Sequence, residues 1–255
     1  MNETEDHEAA VRLAELAGAR LLQVRAQLHE QGITGSQAKD LGDQAAQAVL
    51  ARELSTRFPA DAVLSEEAAD DQRRLDAERV WIIDPLDGTR EFSESGRDDW
   101  AVHVALWVRG ELTAGAVTLP ARSRTYSTSG AHDLPPRPAS TPLRLAVSRS
   151  RPPEFVSRLG EHLGAQLVPM GSAGVKAMSV LAGECDAYVH AGGQFEWDSA
   201  APVCVARSWG LHTSRIDGSP LRYNNADPYL PDLVIARPEV APELLGALAA
   251  WADAP

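Results

Sequence analysis

Hydrophobic positions run along this chain first at helical and then at strand spacing. Over residues 9–28, Val11, Ala14, Leu16, Ala17, Leu21, Leu22, Val24 and Leu28 recur every three or four positions and Gly32 closes the segment, which predicts a long amphipathic helix. A second helical run follows Gly42: Ala45, Ala46, Ala48, Val49, Leu50 and Leu54 lead to a stop at Phe58-Pro59. Asp43 then falls at or near that helix's start, where capping and the macrodipole favour a carboxylate. Residues 62–65 read as a short strand and 80–83 as a buried one. Trp100, Val102, Val104, Leu106 and Val108 alternate with Ala101, His103, Ala105 and Trp107. With Arg109-Gly110-Glu111 as a turn and 112–119 as the return, this is a β-hairpin, and a short strand at 124–128 completes an antiparallel sheet. Residues 130–142, aperiodic and rich in Pro and Ser, mark an exposed connection. Beyond it, strands at 143–147, 166–168 and 187–189 alternate with helices at 154–163, 173–181 and 197–208, and a last helix at 242–251 serves packing. The pattern predicts an α+β half over residues 1–135, a helix pair on an antiparallel sheet, and an α/β half over 136–255.

Composition narrows what such a chain can do. Its 255 residues are 44% hydrophobic, enough for one large domain or two intimately packed ones. The net charge of -12, from 36 acidic and 24 basic residues, argues against a nucleic-acid polymer or an anionic membrane as partner. A small phosphorylated ligand would need metal ions and a local basic pocket. Cys185 and Cys204 are too few for a disulfide scaffold or a zinc site and read as buried thiols. The amino terminus is acidic and polar, and no run approaches ~18 apolar residues, which predicts a soluble, cytoplasmic protein.

The candidate chemistry concentrates at residues 81–92, Trp-Ile-Ile-Asp-Pro-Leu-Asp-Gly-Thr-Arg-Glu-Phe. Apolar residues run into Asp84, Pro85 ends the ladder, and Gly88 and Thr89 form a tight turn with a hydroxyl. Asp84 and Asp87 can face one point with the Leu86 carbonyl between them. That all-oxygen set suits a hard cation such as Mg²⁺, and the backbone N–H groups after Gly88 suit a phosphate beside it. A solvated turn of common turn residues is the competing reading. Glu66 and Glu67 likewise read either as strand-end ligands or as the start of the acidic run through Asp70, Asp71 and Asp76. Asp198, opening a helix after Trp197, reads as a cap, and His103 as a packed strand residue.

Asp84-Pro85-Leu86-Asp87-Gly88-Thr89, with Glu66-Glu67 before it and Trp197-Asp198-Ser199-Ala200-Ala201 after it, resembles the inositol monophosphatase superfamily of metal-dependent, lithium-sensitive phosphatases. The match runs from the first helix to about Asn225. The resemblance implies a layered αβαβα sandwich, a homodimer and inhibition by Li⁺. It also implies two or three Mg²⁺ ions, held by Glu66, Asp84, the Leu86 carbonyl, Asp87 and Asp198, with Asp43 supporting a further, weaker one. So many carboxylates raise one another's pKa and call for cations. Two metals ~3.5–4 Å apart can activate a water on one side of phosphorus and stabilise the leaving alkoxide on the other. In these roles Glu66 positions the metal that carries the water, Thr89 passes its proton to Asp43, and the Gly88 and Thr89 N–H groups grip the phosphate. One departure stands out: Asp40-Leu41-Gly42 shortens the family's usual segment between Lys39 and Asp43, which bears on the third ion.

The substrate reading rests on Gly171-Ser172-Ala173-Gly174-Val175-Lys176. Ser172 reads as a helix N-cap, and Lys176 lies within about one turn of the helix start, where an anion gains from the macrodipole and a cation does not. A phosphate is then its natural partner; a solvated surface lysine is the alternative. Gly-Ser followed by this lysine, and Ser148-Arg149-Ser150, are similar to the CysQ-type 3'(2'),5'-bisphosphate nucleotidases, while the position matching an inositol-contacting acidic residue is Ala191. The resemblance thus implies hydrolysis of 3'-phosphoadenosine 5'-phosphate, a by-product of sulfate assimilation, to AMP and phosphate. Arg149 and Lys176 would lie near the nucleotide, Ser172 and Asp198 in the substrate pocket, and Tyr223 beside the base. An inositol monophosphatase, a fructose 1,6-bisphosphatase, an enzyme accepting several of these substrates, and a catalytically silent phosphate-binding regulator are the alternatives.

Overall fold

A computed structural model describes residues 3–130, 133–137, 142–150 and 152–252. The chain runs α1 (Glu3–Glu30), α2 (Gly35–Arg57), β1 (Ala62–Ser65), β2 (Arg79–Asp87), α3 (Thr89–Ser93), β3 (Ala101–Val108), β4 (Glu111–Leu119) and β5 (Arg124–Ser127). It continues with β6 (Arg144–Ser148), α4 (Glu154–His162), β7 (Gln166–Met170), α5 (Ala173–Leu181), β8 (Ala187–Phe195), α6 (Glu196–Ser208), β9 (His212–Ser214), β10 (Tyr229–Ala236) and α7 (Ala241–Ala252). One sheet has the order β1-β2-β3-β4-β5, the other β7-β6-β8-β10-β9. Parts of the expected connection at 130–142, residues 131–132 and 138–141, lie outside the described residues. Within it, Leu134 packs against the core and the Pro135 carbonyl accepts a 2.8 Å hydrogen bond from Arg237.

Strand alternation sorts the side chains into five layers. On β3, Val102, Val104 and Leu106 pack against α1 and α2, whereas Ala101 and Ala105 face the opposite way, towards α5 and α6. The second sheet meets the same middle helices through Ala146, Tyr188, Leu233 and Ile235, and turns Leu145, Val147, Val189 and Val234 towards α4 and α7. Helix pair, sheet, helix pair, sheet, helix pair is the αβαβα sandwich. Both strand faces are buried in each sheet, which is why the strands read as near-continuous apolar runs. Among the described residues, no helix is long and apolar enough to cross a membrane.

Four local expectations are corrected. Pro85 does not end its strand: β2 runs to Asp87, with Asp84 opposite His103 and Asp87 opposite Ala101, so one extra residue is accommodated in a bulge. The first sheet is mixed, because β1 pairs with β2 in parallel. Strands β9 and β10 were not expected; β9 is only three residues long, and both lie beyond the last helix whose periodicity is clear. Helix α2 begins at Gly35, so Asp43 sits two turns inside it rather than at its start. Gly42 is a contact residue there, not a breaker. A Cβ on it would lie 2.7 Å from Phe92 Cε1 and 2.8 Å from Leu86 Cδ2, and both of those side chains are buried.

This contact seats α2 against the segment that carries the acidic residues. Gly42→Ala gains ~1 kcal/mol of helix propensity, but overpacking costs ~1–3 kcal/mol. The substitution is therefore expected to lower the urea midpoint of unfolding. A higher midpoint would show that α2 does not press on Phe92 and Leu86.

Candidate active site

The bulge in β2 decides where the carboxylates point. Trp81, Ile83 and Leu86 pack towards the first helix pair, while Val80 and Ile82 face the middle layer. Strict alternation would send Asp84 and Asp87 to opposite faces; the extra residue between them restores both to the middle layer. There α6 brings Asp198 in its first turn, and carboxylate oxygens of Asp84, Asp87 and Asp198 all lie within 4.8 Å of one another. Asp198 also accepts a 2.7 Å hydrogen bond from the Phe195 N–H, so capping and membership of the cluster coexist.

The three differ in how their charge is balanced. Asp87 lies at the start of α5, where the Ser172 hydroxyl and the N–H groups of Ala173 (3.1 Å) and Gly174 (2.6 Å) donate to it. His103 Nε2 is 3.1 Å away, and its Nδ1 lies 3.2 Å from the Trp197 carbonyl. Burial alone would raise the Asp87 pKa, but the His103 contact, the Lys176 charge and the Ser172 hydrogen bond outweigh it and hold the carboxyl below its ordinary range. For His103, burial works against protonation, and Asp87 reverses that to raise its pKa. Asp84 has no such support. Oδ1 accepts from the Leu86 N–H at 3.0 Å, Oδ2 is buried without a partner, and burial with the charges of Glu66, Asp87 and Asp198 pushes its pKa well up. Burial and Asp87 raise Asp198 to about 6.

Glu66 stands at the end of β1 with an exposed side chain and is not in the tight group of three. Its carboxyl still loses water and feels Asp198 and Asp87, which raise it to about 7. Asp43 rises to about 7 through burial, Glu67 and Asp40, with Lys39 opposing. A buried, unpartnered carboxylate oxygen beside two further carboxylates is a donor set for a hard divalent cation. The residues therefore fit the metal that the sequence implies.

Beside the cluster opens a cleft of about 700 Å³ whose wall includes Gly88, Thr89, Ser172, Lys176, Ala191 and Asp198. Gly88 has φ +88°, and a side chain there would meet Ser172 and the Trp100 backbone, so the turn requires glycine. The expected partner of the α5 N-terminus is corrected: Asp87 fills it. Lys176 bends back and donates to the Gly171 and Ser172 carbonyls, with Nζ 5.4 Å from the Tyr188 ring centre. It remains in the cleft wall, but as a buried residue rather than a solvated lysine. Arg149 pairs with Glu91 at 2.7 Å and Glu94 at 3.0 Å. Tyr223 is corrected too, because it is buried in the central core with its hydroxyl 3.2 Å from Ser199 and is not part of the cleft wall.

Three supporting features escaped the sequence reading. His103 shares the face of Ala101 and Ala105, so the alternation that placed it in a strand also aimed it at the middle layer. Gly174 makes room for it: a methyl group there would sit on the imidazole. Arg25, from α1, donates to the carbonyls of Phe92 (3.0 Å) and Glu94 (2.7 Å) and so secures the end of α3. Wholly buried Arg74 links Asp70, after Glu66, to Asn224 at 2.6 Å, and Asn224 N–H donates to buried Glu196, two residues before Asp198.

Comparison with known proteins agrees with this geometry. Residues 2–250 match the model of the inositol monophosphatase family. The chain is 56% identical to a 3'-phosphoadenosine 5'-phosphate phosphatase of Mycobacterium bovis, over 92% of this chain and 90% of that protein. Identity to the protein of the same name from Mycobacterium leprae is 50%, over 96% and 94%. The crystal structure of CysQ from Bacteroides thetaiotaomicron superposes with a TM-score of 0.77 at 25% identity, covering 92% of this chain and 97% of that one. The family match spans nearly the whole length of the chain: the protein belongs to the inositol monophosphatase family.

Proposed function

We propose that this protein is a Mg²⁺-dependent phosphomonoesterase that hydrolyses 3'-phosphoadenosine 5'-phosphate to AMP and phosphate. The observation that carries the reaction class is the group Asp84, Asp87 and Asp198 within 4.8 Å, with Asp84 Oδ2 buried and unpartnered beside an open cleft. The substrate follows from the relatives of 56% and 50% identity that bear its name.

In this reading Asp84, Asp87, Asp198 and Glu66 hold the cations, two or three in number, and the Leu86 carbonyl adds a neutral oxygen. Bound divalent ions supply positive charge to the phosphoryl oxygens and lower the pKa of water. The chain's own part is positioning and proton handling. Asp87, fixed by α5 and His103, gives the site one carboxylate that stays ionised and does not move. Gly88 and Thr89 present their N–H groups to the phosphate from a turn closed by a 2.9 Å hydrogen bond from Phe92 N–H to the Gly88 carbonyl. Thr89 Oγ1 would take the proton of the attacking water and pass its own to Asp43. Water is the nucleophile, so no phosphoenzyme forms.

Two measurements test this. Phosphate release is expected to show kcat/KM for the bisphosphate nucleotide about 100-fold above that for inositol 1-phosphate, which lacks the second phosphate, because a site built for one polar group discriminates strongly against its absence. A preference for inositol 1-phosphate would overturn the substrate assignment. Asp84→Asn is expected to lower kcat at least about 100-fold with an unchanged far-UV circular dichroism spectrum. Full turnover by that variant, or by the wild type in EDTA, would overturn the metal-dependent reaction.

A further inference from the structure

His103 lies in the middle of β3 with no solvent exposure, and the residues flanking it on the same strand face are Ala101 and Ala105. Burying a polar ring among small apolar side chains costs free energy unless polar partners meet it. The strand register sets His103 opposite Asp84, beside the bulge that gathers the carboxylates. Both ring nitrogens then face the segments that carry them. Nδ1 lies 3.2 Å from the carbonyl of Trp197, the residue before Asp198, and Nε2 lies 3.1 Å from Asp87 Oδ2. One rigid ring thus spans the gap between the end of β2 and the start of α6.

A third element reserves room for the ring. Gly174, in the first turn of α5, is the position where a Cβ would collide with Nε2, so alanine, the better helix former, is shut out there. Its N–H still serves the site. Asp87 Oδ2 is met by three groups, the Ser172 hydroxyl, the Gly174 N–H at 2.6 Å and the edge of the imidazole, whereas Oδ1 receives the Ala173 N–H at 3.1 Å. A carboxylate oxygen has about two lone-pair sites, so Oδ2 is fully engaged and Oδ1 keeps capacity for a cation. We propose that His103 is a positioning residue of the metal centre. Held at Trp197, its ring closes the Oδ2 side of Asp87 and sets the spacing of Asp87 from Asp198 at a value that suits one divalent ion. The ring acts through its place and contacts, not by exchanging a proton. This inference rests on the function proposed above, since it gives His103 a task only if the carboxylates hold a cation.

The test is calorimetric titration with Mg²⁺, without substrate, at a temperature where far-UV circular dichroism shows every variant folded. H103A removes both contacts, and its Kd for Mg²⁺ is expected to rise about 10- to 100-fold, the usual cost of losing a group that orients a metal ligand. H103N keeps a donor near the Trp197 carbonyl and H103Q carries one out towards Asp87, so each retains one end of the bridge and is expected to fall between H103A and the wild type. In turnover the apparent Mg²⁺ constant is expected to move by the same factor, with kcat at saturating Mg²⁺ changed less. G174A pushes the ring aside and is expected to weaken Mg²⁺ binding when His103 is present but to add nothing to H103A, a non-additivity that a general loss of packing does not produce. Unchanged Mg²⁺ affinity in H103A, or fully additive effects of G174A and H103A, would overturn the assignment. A wild-type protein that binds no Mg²⁺ would overturn the proposed function and this inference with it, and the wild-type titration alone tells the two failures apart.

Discussion

Three carboxylates held within 4.8 Å of one another repel, and the structure around them is arranged to keep them there. In water such groups would separate or take up protons. Here they are locked by two different elements: Asp84 and Asp87 by the bulge of β2, and Asp198 by the first turn of α6. The five-layer packing makes the arrangement stiff, because β2 is buried from Val80 to Asp87 and the middle helices fill the space between two sheets. Charge repulsion stored in a rigid frame has one natural relief, a cation. The raised pKa values of Asp84, Asp198 and Glu66 are the same fact expressed as proton affinity.

The frame also distributes positive charge unevenly, and that gives the carboxylates different roles. Asp87 is surrounded by donors and by His103 and Lys176, so it resembles a fixed anion. Asp84 keeps one carboxylate oxygen, Oδ2, buried without a partner. His103 joins Asp87 to the carbonyl of Trp197, the residue before Asp198, and thereby couples the ends of β2 and α6. The fit depends on an absent side chain, since only glycine at 174 leaves room for the ring. Around the cleft, Lys176 donates to the Gly171 and Ser172 carbonyls and Arg149 pairs with Glu91 and Glu94.

Much of this was legible in the sequence because periodicity and a dense motif report local structure well. The hairpin of β3 and β4, the alternation within β3, the helices of the carboxyl-terminal half and the five layers implied by the motif all appear as expected. What escaped depends on distance in sequence. The bulge at Asp84 to Asp87 cannot be read from a proline that looks like a strand end. Gly42 looks like a helix breaker until Phe92 and Leu86 are seen against it, and its position moved the start of α2 by two turns. Lys176 and Arg149 carry the right charge in the right places, but Gly171, Ser172, Glu91 and Glu94 absorb them, and those partners come from other elements or from a backbone that has to turn. Tyr223 had a suitable ring and no exposed surface.

The central claim, that the fold holds uncompensated carboxylates in readiness for a divalent ion, is tested most directly by thermal unfolding of the wild type and Asp84→Asn across a Mg²⁺ titration with no substrate present. A ligand that binds only the folded state raises Tm by mass action. The wild type is expected to gain stability steadily with Mg²⁺. Asp84→Asn is expected to be the more stable of the two in EDTA, through lost repulsion, and to gain little from Mg²⁺. A wild-type Tm that ignores Mg²⁺, with Asp84→Asn no more stable in EDTA, would contradict the account.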